Sequence, residues 1–338
     1  MAVFLVLTLA LVAGVVIGAQ RLLGSFGTED YGGEGRGEVL VKVEASQTAT
    51  QIAGTLETMD VVKSADAFVE AAKDDSRSRG IQPGSYRLRA QMSGQAALAL
   101  MLDPGSRAVG TVVVTEGLSA RQVLQRVADG TEIPLAELEA AAADPRSLGT
   151  PSWAGDELEG LLFPATYEFE PDQDATAVLS EMVARFGEES RVLDLEARAE
   201  ALGRTPYEIV TIASLAEREA RKPDEFAKVS RVIYNRLAVD MRLEIDATVL
   251  FGLGRTSGAL TKADLLKATP YNTRLNVPGL PPTPIASPGT AALEAALAPV
   301  AGDWVFYVLA APDGTQFFTS NYDEFRRVRD ESRAAGLF

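Results

Sequence analysis

A chain of 338 residues with 47 Asp and Glu against 32 Lys and Arg carries a net charge of −15, which argues against a nucleic-acid binder that must meet phosphate with basic surface. It has no cysteine and no histidine, so disulfides and thiol chemistry are excluded, and acid–base work falls to carboxylates, Tyr or Lys. With 46% hydrophobic residues the chain is too apolar to be disordered, and its length allows two domains.

Residues 2–19 are an apolar run of 18 residues without a charge. As a helix the run would be about 27 Å long, close to the hydrocarbon thickness of a bilayer. A cleaved signal peptide would call for a basic stretch ahead of the run and an Ala-x-Ala site, but Ile17 stands where the first small residue belongs. The expectation is a transmembrane anchor over residues 1–23. Charge does not set its orientation, since Arg21 lies after the run and only the amino terminus before it. Residues 24–38, rich in glycine and acid, read as a flexible linker.

Residues 39–43 read as a strand, 49–59 and 65–73 as helices with Ser46 and Ser64 as caps, 85–88 as a strand and 93–101 as a helix capped by Ser93. Residues 39–108 have no tryptophan and one tyrosine, Tyr86, where a strong independent sugar site would want aromatic faces. Further on, 111–115 is a β-branched strand and Glu116-Gly117-Leu118-Ser119 turns into a helix over 120–128. Helices are expected over 135–143, 174–185 and 192–202. Between them, residues 158–169 supply Glu159 and Tyr167 as candidates to line a cleft, with Phe163 and Phe169 as core.

The stretch from Thr205 to Gly254 organises the rest. Thr205-Pro206 with Glu208 three residues after the cap announces a helix start. Ile209, Ile212, Ala213 and Ala216 form an apolar stripe that ends at Glu217 and Glu219. A carboxylate at the end of such a stripe can sit at a cleft mouth, where desolvation makes it a usable general acid. The plainer alternative is a solvated helix end with Glu217 and Arg221 as an i,i+4 pair. A second helix follows over 229–237, and another over 260–267 capped by Thr261. The proline-rich run after Asn276 forms no regular structure and suits a rigid cleft wall. Thr290–Leu297 reads as a helix, 304–310 and Gln316–Thr319 as strands joined by Pro312-Asp313-Gly314, and 321–333 as a terminal helix.

Ala213-Ser214-Leu215-Ala216-Glu217-Arg218-Glu219, Asn235-Arg236-Leu237, Met241-Arg242-Leu243, Asp246-Ala247-Thr248-Val249, Tyr271-Asn272-Thr273 and Gly279-Leu280-Pro281-Pro282 together resemble the membrane-anchored endolytic murein transglycosylases, the YceG-like family. The resemblance implies an α+β fold: an N-terminal transmembrane helix, a small LysM-like α/β module over 39–108 and a mixed α+β catalytic region over 109–338. It implies cleavage of the β-1,4 bond between N-acetylmuramic acid and N-acetylglucosamine without water; the alternatives are a non-catalytic wall-binding scaffold of the same fold and a two-carboxylate hydrolase of another polysaccharide. One glutamate, aligned with Glu217, protonates the leaving oxygen and then takes a proton from the muramyl C6 hydroxyl, which closes a 1,6-anhydro ring. Glu219, Asn235, Asp246, Thr248, Tyr271, Asn272 and Thr273 are then candidates to hold the sugar. No cofactor or metal is called for. The expected partners are peptidoglycan strands, penicillin-binding proteins and the cell membrane, with no nucleic acid, and the enzyme would be a single-pass protein facing the cell wall. Since that polymer is itself anionic, the net charge of −15 gives no long-range attraction, so affinity must come from local groups. The chain departs from the family pattern at Glu244, Ile245 and Ala247, and carries Gln316 and Phe325 where the family often has histidines.

Overall fold

The computed structural model describes residues 28–337; the expected anchor over 1–23 and the first part of the expected linker lie outside the described residues. Among the described residues no helix is long and apolar enough to cross a membrane. The chain divides between Val109 and Gly110 into two units, and the architecture is mixed α+β.

The first unit runs β1 (Glu34–Val43), α1 (Ala49–Thr58), α2 (Ala65–Asp74), β2 (Gly84–Met92) and α3 (Gly94–Met101). β1 and β2 are antiparallel, with Val39 opposite Leu88 and Val41 opposite Tyr86. Val41, Val43, Tyr86 and Leu88 enter a core with Leu56, Phe68 and Met92, as period-two alternation requires. Two sequence expectations need correction. Residues 34–38, assigned to the linker, are strand, because β2 continues to Met92 and supplies their partners; Gly35 and Gly37 adopt φ of +74° and +65°, and the register shifts between Arg36 and Val39. The cap of α1 is Thr48 in a capping box with Gln51, not Ser46, which lies in the turn at φ +67°.

The second unit begins with β3 (Gly110–Val113), α4 (Ala120–Gly130), α5 (Leu135–Ala142) and β4 (Thr166–Phe169), with β3 and β4 antiparallel. It continues with α6 (Ala175–Val192), α7 (Leu195–Ala201), α8 (Pro206–Glu219), α9 (Phe226–Ala238), α10 (Asp246–Gly252) and α11 (Lys262–Leu265). After the proline-rich run come α12 (Thr290–Leu297), the antiparallel pair β5 (Phe306–Leu309) and β6 (Gln316–Thr319), and α13 (Tyr322–Ala334). The helix expected over 192–202 is split from α6 at Asp194, whose φ of +51° cannot continue a helix. The one expected over 260–267 shortens to the four residues of α11.

α8 is the centre of this unit. Periodicity predicts one apolar stripe, yet every residue from Ile209 to Ala216 is buried. Helices α9 and α12 pack on it, and the proline-rich run supplies Ile285 to the same core. Thr211 and Ser214 tolerate this because their hydroxyls donate back to the helix, to the carbonyls of Tyr207 (2.8 Å) and Thr211 (2.7 Å).

Candidate active site

The start of α8 follows its sequence signal. Thr205 Oγ1 accepts the Glu208 N–H at 3.2 Å and Glu208 Oε2 accepts the Thr205 N–H at 2.8 Å. Its last turn leaves the core and carries two acids that diverge, as residues i and i+2 on a helix must.

Glu217 is half-buried, and its Oε2 accepts the backbone N–H of Gly289 at 3.1 Å. Gly289 is the N-cap of α12, so the carboxyl group lies at the positive end of that helix. The proline-rich run is what delivers Gly289 there. Within it, Ile285 N–H donates to Ser214 Oγ at 3.1 Å, and Ser287 pairs with the turn after β3 through Ser287 N–H to Leu118 O (2.7 Å) and Gly117 N–H to Ser287 O (2.9 Å). Gly117 has φ +78°, and a methyl group added to it would lie 3.7 Å from Glu217 Cγ. Arg218 locks the same turn by donating to Gly117 O (3.1 Å) and Thr256 O (2.6 Å). Burial raises the Glu217 pKa above the ordinary carboxylate value; the Gly289 N–H opposes this, the nearby Glu116 charge adds to it and Arg218 pulls it back. Glu217 Oε1 accepts no hydrogen bond from the described residues.

Glu219 faces a different space, a cavity of about 680 Å³ walled by the ends of α8 and α9, the start of α10, the β5–β6 hairpin and α13. Tyr307 Oη donates to Glu219 Oε2 at 2.8 Å. Burial raises the Glu219 pKa, with the Tyr307 bond and the Ala247 N–H opposing and Asp246 adding. Across the cavity, Arg274 grips Asp246 Oδ1 with Nε at 2.9 Å and Nη2 at 2.6 Å. Arg236, 7% exposed, donates to the carbonyls of Val305, Arg242 and Leu243 at 2.6, 3.0 and 2.8 Å. Gln316 and Phe325, where the chain departs from the family's histidines, line the same cavity.

The remaining expected sugar contacts divide. Tyr271 is half-buried, its hydroxyl 2.9 Å from Thr283 Oγ1 in the proline-rich wall and its ring edge-on to Phe251. Asn272, Thr248 and Thr273, expected to touch the sugar, are buried and bonded within the protein. Asn272 Nδ2 donates to the carbonyls of Leu265 (3.1 Å) and Lys267 (2.8 Å). Thr248 and Thr273 join hydroxyls at 2.9 Å, and Thr273 Oγ1 accepts the Ile245 N–H at 3.0 Å. These three hold two loops together; buried unpaired polar groups would be costly there. Asn235 ties α9 to the start of the hairpin region through Gly302 O (3.1 Å) and Trp304 O (2.9 Å). Glu159 and Tyr167 also bond within the fold. Glu159 caps α4 through the Ala120 N–H at 3.0 and 3.1 Å, and Tyr167 is buried with its hydroxyl on Phe163 O at 2.6 Å. The cavity residues Arg274, Tyr307 and Phe306 were not singled out from the sequence. They come from segments distant from Glu219, and only the position of Arg236 between Asn235 and Leu237 carried a signal.

A family model described as the YceG-like family matches residues 41–331. The chain is 29% identical to an endolytic murein transglycosylase of Bacillus subtilis (strain 168), over 94% of this chain and 91% of that one. It is 27% identical to an endolytic murein transglycosylase of Streptococcus pneumoniae (strain ATCC BAA-255 / R6), over 96% of this chain and 63% of the longer relative. Among solved structures, a yceG-like protein from Listeria monocytogenes superposes with a TM-score of 0.60 at 27% identity, over 87% of this chain and 99% of that one.

Proposed function

Because this chain belongs to the YceG-like family, we propose that it is an endolytic lytic transglycosylase of peptidoglycan. It cleaves the β-1,4 bond between N-acetylmuramic acid and N-acetylglucosamine and leaves 1,6-anhydro-muramyl ends. The observation that carries the site assignment is the half-buried Glu217 carboxyl, held by one oxygen to Gly289 at the end of the proline-rich wall.

A hydrolase needs a second carboxylate to activate water or attack the sugar, whereas intramolecular attack by the C6 hydroxyl needs one group that is acid first and base second. Glu217 suits this role. Burial keeps it protonated to higher pH, while the Gly289 N–H and Arg218 limit the shift so that the proton can still leave. Oε1 delivers the proton to the leaving oxygen and then receives the C6 proton. Glu219 is held by Tyr307, and with Asp246 it lines the cavity as a substrate-binding group. Tyr271 sets the wall, and Asn235, Thr248, Asn272 and Thr273 position the loops.

The β-α-α-β-α order of residues 34–101 supports a LysM-like module ahead of a catalytic region over 109–338. The uncharged run over residues 2–19 supports a single-pass anchor, and the family resemblance implies that the rest of the chain faces the wall. Fractionating membranes with and without residues 1–23 tests the anchor. Co-purification tests partnership with glycan-polymerising penicillin-binding proteins, beside which the enzyme would end nascent strands.

The deciding experiment is digestion of purified peptidoglycan with mass analysis of the products. Anhydro-muramyl ends are expected, and reducing ends or no product would defeat the reading. Glu217→Gln should lower the rate at least about 100-fold. If Glu219→Gln is silenced instead while Glu217→Gln works normally, the acid is Glu219.

A further inference from the structure

The wall of the Glu219 cavity has a charge opposite to that of the chain. In a protein of net charge −15, this cavity is lined by five arginines and three carboxylates. Several of these charges are already spent. Arg236 is bound to carbonyls, Arg274 to Asp246, and Arg329 to Asp330 at 2.8 Å. Arg221 differs: it is exposed, its stem packs against Gly314 of the β5–β6 turn, and it pairs with no carboxylate among the described residues. The same cavity holds a stack of three rings; Arg236 lies over Phe306 at 5.7 Å and Arg329 over Phe325 at 5.8 Å, so Tyr322 is the ring that stays open to a sugar. Phe306 and Phe325 stack at 5.2 Å with 25° between their planes, and Tyr322 stacks on Phe325 at 6.0 Å and 26°. Tyr322 is 54% exposed. Aromatic faces receive the C–H face of a sugar ring, and a guanidinium recognises a carboxylate through paired hydrogen bonds. A space of about 680 Å³ is in the range of sites that enclose small-molecule ligands.

The geometry points to this cavity as a subsite for the muramyl residue and its acidic substituent: the ring stacks on Tyr322, which Phe325 backs, and a carboxylate on the 3-O substituent meets Arg221. This rests on the transglycosylase reading and adds to it the local cation that an anionic substrate and an acidic enzyme require. The carboxylate has two sources. In peptide-free strands it is the lactyl group itself; in intact strands it belongs to the stem peptide.

Binding is read calorimetrically with the full chain carrying Glu217→Gln, so that strands are not consumed. Soluble glycan strands are supplied in three forms: peptide-free, with intact stems, and with all carboxylates converted to neutral amides. Adding Arg221→Gln should weaken binding of a carboxylate-bearing form about tenfold, the loss of one charge-assisted contact. The form affected names the source. The amidated strands should bind equally with and without Arg221, and Arg221→Lys should recover part of the loss. Tyr322→Ala should weaken all three forms. The subsite is overturned if Arg221→Gln changes charged and amidated strands alike or changes neither, or if no form binds. The transglycosylase reading stands or falls separately, on anhydro-muramyl ends made by the unsubstituted chain.

Discussion

Glu217 and Glu219 are two residues apart, and their surroundings give them different work. Glu217 keeps an oxygen that accepts nothing from the described residues, whereas Glu219 is held by a tyrosine. A general acid must start protonated, so activity falls as pH rises through its pKa, and burial of Glu217 carries that alkaline limb upward. Glu116 contributes to the rise through its charge. Glu116→Gln should therefore move the alkaline limb of the pH–rate profile to lower pH, with the rate on the acid side of that limb little changed; a limb that stays put would show that Glu116 does not act on Glu217. A third acid affects stability instead. Burial pushes Glu159 from its ordinary 4.5 up to about 8, against the pull of the Ala120 and Gly160 N–H groups. Its folded-state pKa is raised, so the folded chain holds a proton there that the unfolded chain has lost. Its contribution is complete below the unfolded pKa and fades as pH rises through about 8. Thermal midpoints of Glu159→Gln should accordingly depend less on pH across that window than those of the unsubstituted chain. At this scale the sequence signalled which acids to watch, through the stripe ending at Glu217. It could not say that Asn272 and Thr248 are buried, because a polar residue in a loop reads the same whether it caps a turn or meets a ligand.

Among the elements, α8 and the proline-rich run act as a pair. Ser214 on the helix accepts the Ile285 N–H of the run, and Gly289 at the end of the run donates to Glu217. Ser214→Ala would leave a buried N–H unpaired and should cost about 1–3 kcal/mol of stability, measured by denaturant unfolding. Activity should drop more than stability explains, because Gly289 then loses its register against Glu217. Gly160 is a second pressure point. It sits at φ +85°, and a methyl group there would come within 2.8 Å of Pro284 and 3.0 Å of Val210. Gly160→Ala should destabilise by about 1–3 kcal/mol through combined backbone strain and overpacking, and an unfolding midpoint equal to the parent's would contradict this. The amino end of α8 was legible because a capping box is a local pattern. The early start of β1 was not, because Gly35 and Gly37 argue against a strand until β2 supplies a partner.

On the scale of the whole molecule, the apolar residues fall into clusters that respect the division at Val109. One cluster, with Val41, Phe68 and Leu88, serves the first unit; the clusters around Ile212 and around Val178 serve the second. A unit with its own core can fold alone. A fragment of residues 110–338 should thus unfold cooperatively by itself and still release anhydro-muramyl ends from soluble strands; a fragment that fails to fold would refute the independence of the cores. What the sequence determined by itself is whatever depends on neighbours along the chain: helix caps, apolar periodicity, the lack of histidine and cysteine that leaves acid–base work to carboxylates, Tyr or Lys, and the ordered motifs of the family. What only the tertiary structure decided is which groups from distant segments meet. Gly289 reaches Glu217 across 72 positions and Tyr307 reaches Glu219 across 88. Burial of a polar side chain is likewise settled by the elements packed around it. Desolvation and hydrogen-bond partners follow from that packing, and they separate an acid poised to react from one held as part of a wall.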